Sequence, residues 1–170
     1  MKRLLSWFKS EKVSKNKGFT LIEILVVIGI IAILASIVII AINPAKQFAQ
    51  ARNTTREAAV NSILNAIGQR IADNKGVFAG QFSGTTYTCG PIPTTATNIT
   101  TGMAADTTTP TGALGCLAPT YISSISTDPS NPATPTGYTV EVDAVGRVKV
   151  CAPLHLESAI PDSATFCVTR

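Results

Sequence analysis

Histidine occurs once in these 170 residues, at His155, and the four cysteines form no C-x-x-C pair. Structural and catalytic zinc sites need Cys and His clustered at short spacings, so no metal site is expected. The chain also lacks a phosphate-binding glycine loop and any nucleophile beside a base, and an enzyme finds no footing in it. Cations are scarce late in the chain. After Lys75 there are only Arg147, Lys149 and Arg170, too few for the row of phosphate contacts that nucleic-acid binding needs. The long apolar segment has no cysteine, which excludes a lipoprotein signal, and no A-x-A exit of an ordinary secretory signal.

What is present is concentrated near the start. Lys2, Arg3, Lys9, Lys12, Lys15 and Lys17 are opposed there only by Glu11. The leader therefore carries +5 of a net +4, and the remainder is near −1. The basic balance belongs to the leader and not to a folded surface. An apolar run then extends from Phe19 to Ile42 with Glu23 as its one charge. As a helix it spans roughly 36 Å, enough to cross a hydrocarbon core of about 30 Å. Flanking cations stay cytoplasmic, so the rest of the chain is expected on the exported side. An ionisable group in such a run costs up to roughly 2.5–3.5 kcal/mol at the bilayer centre, and is a functional candidate by default.

The stretch Gly18-Phe19-Thr20-Leu21-Ile22-Glu23, preceded by Lys17, resembles the processing site of type IV prepilins and type II secretion pseudopilins. The resemblance implies cleavage between Gly18 and Phe19 by a prepilin peptidase, and methylation of Phe19 as the new terminus. It implies that Glu23 pairs with the terminal amine of a neighbouring subunit, with the apolar helix as filament core. The implied partners are other pilin subunits, an inner-membrane assembly platform and the membrane itself. The implied course is a single-pass cytoplasmic-membrane form first, then a surface or periplasmic filament. No cofactor is implied. A DNA-binding minor pilin of an uptake system is the alternative. Residues 1–18 are thus expected to be a leader, 19–42 the filament-core helix and 43–170 an exported domain.

Asn43-Pro44 suits a helix start, Asn as N-cap and Pro as first residue, or equally a kink where the apolar helix continues into an amphipathic one, since Pro removes one hydrogen bond. Val60, Ile63, Leu64, Ile67 and Ile71 then recur at helical spacing over residues 45–73. Arg52, Arg56, Gln69, Arg70 and Asp73 are expected on the other faces, with Gly76 as C-terminal cap. Residues 77–120 hold twelve threonines between Thr85 and Thr111 and keep no period. An irregular connection is expected there. Tyr138, Val140 and Val142 alternate, then Val148 and Val150, around a turn at Asp143–Gly146: a hairpin. Thr165–Val168 adds a strand. The whole is an α+β arrangement, a helix on a small antiparallel sheet.

The cysteines, Cys89, Cys116, Cys151 and Cys167, all follow the apolar run, which suits two disulfides in an exported domain. Three connectivities are open, and sequential pairing is the expectation. Residues Tyr121–Pro129 are similar to the connection before the final strands of many pseudopilins. Pro44 lies about one turn later than in many pilins, and typical major pseudopilins use calcium where this chain has cysteines. Asp128, Asn131 and Asp143 offer oxygens, but three scattered ligands make no calcium site. His155, among prolines, is expected to be a lone surface side chain.

Overall fold

The computed structural model describes residues 18–81, 88–131 and 135–170, in two compact units that part between Asn43 and Pro44. The leader, apart from Gly18, lies outside the described residues.

In the first unit, α1 runs from Leu21 to Ile42, and none of its residues is buried. It is long and apolar enough to cross a membrane. Asn43 ends it in the left-handed conformation, φ 47° and ψ 77°. It is therefore the C-cap of α1. The reason is local. Pro44 disfavours helical backbone in the residue before it, and Asn tolerates the left-handed region better than most residues.

The second unit opens with α2, Pro44–Asp73. Pro44 takes the first helical position, where its missing N–H costs nothing. The expected stripe is the packing face: Val60, Ile63, Leu64 and Ile67 are buried, and Ile71 packs at their margin. α2 stops in two steps. Lys75 and Gly76 both adopt positive φ, and the Gly76 N–H donates to the Ile71 carbonyl at 2.8 Å. This is the six-to-one closure of a Schellman end, with Lys75 in the left-handed position expected of the glycine.

Short strands β1 (Gly80–Gln81) and β2 (Thr88–Cys89) pair antiparallel. The main sheet orders β3 (Thr97–Asn98), β4 (Thr139–Val142), β5 (Val148–Ala152) and β6 (Phe166–Thr169), each antiparallel to its neighbour. β4 and β5 form the expected hairpin, with Val140 opposite Val150 and Val142 opposite Val148. The Asp143 carboxylate accepts from the Val145 and Arg147 N–H groups at 3.0 and 2.8 Å and closes the turn. α2 packs on β5 and β6. Its stripe, with Ile99, Leu114, Leu117, Tyr138, Val140 and Val150, makes one core.

From residue 88 onward the irregular connection is tethered. Just past β3, Thr100 donates its N–H to Gly112 O at 2.8 Å and accepts from the Leu114 N–H at 3.1 Å. Gly112 runs so close to the Asn98 carbonyl that a side chain there would collide with backbone. Disulfides join Cys89 to Cys116 and Cys151 to Cys167, the sequential pairing. Cys151 and Cys167 are also directly opposed in the β5–β6 ladder.

Candidate assembly helix and processing junction

Gly18 and Phe19 precede α1 in irregular backbone, and Phe19 is 85% exposed. A side chain placed at Gly18 would meet nothing within 4 Å. No described contact of the folded chain therefore requires glycine at this position.

Thr20 is the N-cap of α1. Its hydroxyl accepts from the Glu23 N–H at 3.3 Å, and the Glu23 carboxylate accepts from the Thr20 N–H at 2.7 Å and from its hydroxyl at 2.8 Å. This is a complete capping box, satisfying donors that a helix start leaves open. It turns the one carboxylate of α1 back toward the junction, so that it lies against the residue that follows Phe19. Sequence reasoning identified Glu23 but not Thr20, although a Thr followed three residues later by Glu before an apolar run is the signature of this box.

From Leu21 to Ile42, large apolar side chains are exposed all round the helix, each by half or more. Removing one such side chain from water is worth roughly 1.5–3 kcal/mol. A helix of this kind is stable in lipid or in a sheath of other helices, and in water it associates.

The second unit contains an ionic cluster that the sequence concealed. Arg56, expected on an outer face of α2, has a side chain with no solvent exposure. Its guanidinium donates to both oxygens of Asp128 at 2.6 and 3.1 Å, to Glu157 at 2.6 Å, to Asn53 at 2.8 Å and to Ser130 at 2.9 Å. Arg52 forks onto the same Glu157 with two bonds of 2.7 Å. Burial pushes the Asp128 carboxyl up, but Arg56 and Ser130 outweigh it and hold the group at about 2. Arg52, and then Arg56, hold Glu157 at about 2. Asp128, weighed above as a calcium ligand, is thus occupied by arginine. Arg70 is buried as well, donating to the carbonyls of Phe78 and Gly80 at 3.3 and 3.1 Å.

His155 is not a lone surface residue. Its ring stacks on Phe166 at 5.5 Å, and its nitrogens contact the Ala164 carbonyl at 2.8 Å and Glu57 at 3.1 Å. Asn53 donates to the His155 carbonyl at 3.1 Å. Together with Glu157, these contacts strap the β5–β6 connection to α2. The three late cations are also engaged. Arg147 pairs with Asp143 at 2.8 Å and Lys149 with Glu141 at 2.9 Å, while Arg170 bonds Asn65.

Comparison with curated proteins and with solved structures gives no match. Residues 13–39 match the family described as the prokaryotic N-terminal methylation motif, a span that takes in the junction, the capping box and most of α1. The match covers the N-terminal segment alone; over that segment the chain carries a prepilin-type methylation motif, and the α+β fold with its exposed apolar helix agrees with a pilin-like protein.

Proposed function

We propose that this chain is a structural filament subunit, cut between Gly18 and Phe19 by a prepilin peptidase, methylated on Phe19, and assembled through α1. The observation that carries the reading is the pairing of the methylation motif with a helix in which no residue is buried. α1 needs lipid before assembly and other copies after it. Glu23, held by Thr20 beside the junction, stands next to the position where cleavage creates a positive amine. Pairing that amine with a carboxylate of a neighbouring subunit neutralises two charges that are each costly in an apolar bundle. It also fixes the stagger between subunits. A membrane-anchored precursor with residues 43–170 on the exported side follows from the leader cations.

The test uses two substitutions in the full chain. Gly18→Leu is expected to block cleavage, leaving leader-bearing protein in the membrane. Glu23→Val is expected to be cut and methylated but to give little filament. Normal filament yield from Glu23→Val contradicts the charge-pairing model, and normal cleavage of Gly18→Leu contradicts the assigned junction. The DNA-capturing alternative has less support, because Arg147, Lys149 and Arg170 are each engaged by a neighbour within the domain.

A further inference from the structure

His155 is the one histidine of the chain, and the fold sets both of its ring nitrogens against groups that can only accept. Nδ1 lies 2.8 Å from the Ala164 carbonyl, and Nε2 lies 3.1 Å from a carboxylate oxygen of Glu57. A neutral imidazole has one N–H and one lone pair, whereas the protonated ring has two N–H groups. Both bonds together therefore need the protonated ring. The ring is held in this pose by stacking on Phe166, with centroids 5.5 Å apart, and its side chain is 16% exposed. Glu57, across the contact on α2, is 47% exposed.

We infer that the β5–β6 connection, residues 153–165, is a proton-gated strap, closed on α2 when His155 carries both ring protons and released at Glu57 when the ring is neutral. The direction follows from the count of donors. On the acid side both bonds stand. As pH rises through about 5–8, where imidazoles lose their proton, one N–H is left. It stays on Nδ1, which makes the shorter bond, and Nε2 then turns a lone pair toward a carboxylate. That contact is repulsive, and the half-exposed Glu57 side chain has water to move into. The other charged groups around the strap do not change in this window. Glu157, two residues on, is matched by Arg52 and Arg56 of α2, and it and Asp128, held at about 2, stay ionised throughout. β6 faces the ring with the uncharged Phe166, and Asn53 of α2 donates to the His155 carbonyl in either form. The four cysteines are all in disulfides, so no thiol titrates there.

Hydrogen–deuterium exchange of the detergent-solubilised full chain reads the strap locally. Exchange of peptides from residues 153–165 is measured at about pH 5.5 and about pH 8, on either side of the imidazole range. Each rate is divided by that of the same peptide in the denaturant-unfolded chain at the same pH. The parent is expected to lose protection in this connection several-fold at the higher pH, with the β4–β5 hairpin unchanged. Glu57→Gln is the discriminating variant. Its amide can accept from a protonated Nε2 through its oxygen, or donate to a neutral Nε2 through its nitrogen, so it holds the ring in both forms. Protection in Glu57→Gln is expected to be the same at both pH values. Equal protection at both pH values in the parent overturns the proposal, and so does a loss in Glu57→Gln as large as the parent's. A loss shared equally by the hairpin overturns the local release at Glu57.

Discussion

Arg56 shows how far one residue can depart from its sequence context. Arg52, Asn53 and Arg56 fall at the spacing of a solvated helix face, and nothing local marks them otherwise. Their carboxylate partners are 72 to 105 positions away. Only the folded chain brings Asp128 and Glu157 to them, so no periodicity could reveal the cluster. Arg56→Ala leaves two carboxylates facing an emptied site and is expected to lower stability by about 3–5 kcal/mol, read as a fall in unfolding temperature of the detergent-solubilised chain. The pH dependence has a definite sign. The ordinary values for Asp128 and Glu157, 3.8 and 4.5, are both lowered to about 2 on folding. Their contribution is therefore complete above about pH 4.5 and is lost as pH falls toward 2. Unfolding temperature across that window should drop steeply in the parent and much less in Arg56→Ala. A second residue behaves oppositely. The Tyr138 hydroxyl is buried without a hydrogen-bond partner among the described residues, and its burial pushes the phenol up to about 12. Tyr138→Phe removes an unsatisfied group without changing the packing, so its unfolding temperature should equal or exceed that of the parent.

At the scale of elements, what was legible follows one rule. Where one physical signal acts over a short span, the sequence reading and the structure agree. α1 is read from an unbroken apolar run, α2 from the spacing of Val60, Ile63, Leu64 and Ile67, and the β4–β5 hairpin from alternation around Asp143–Gly146. Where two local preferences meet, the sequence left more than one outcome open. Asn43 suits an N-cap and also tolerates the left-handed region, which it adopts before Pro44. The Cys89–Cys116 staple of residues 88–118 was legible, but the backbone tethering between its ends was not, because it rests on close approach at Gly112 and on bonds of Thr100 and Leu114. The β5–β6 connection combines both cases. Its base is the Cys151–Cys167 bridge, 16 positions apart, and its middle is strapped to α2 through His155 and Glu157. Cys151→Ser with Cys167→Ser removes the loop-closing constraint, worth about 3 kcal/mol for a loop of this length. Denaturant unfolding of the double variant should show a lower midpoint, with the ionic strap still present. An unchanged midpoint would mean that the strap alone holds the connection.

For the whole molecule, the two units divide the work. The second unit satisfies itself, with a closed core, two disulfides and an internal ion cluster. The first unit is left unsatisfied, an apolar helix with one carboxylate directed at a junction that is not itself packed. On the proposed reading, a chain built this way depends on lipid first and on copies of itself after cleavage. The central claim is that Gly18–Phe19 is cut and that the freed helix assembles. It is tested most directly by the intact mass and N-terminal sequence of the protein in membrane and sheared surface fractions. The account predicts a chain that begins at N-methylated Phe19 and carries both disulfides intact, with the processed form recovered in filaments. A chain that retains residues 1–18 in cells with an active prepilin peptidase would contradict it, and the protein would then be an ordinary single-pass membrane anchor.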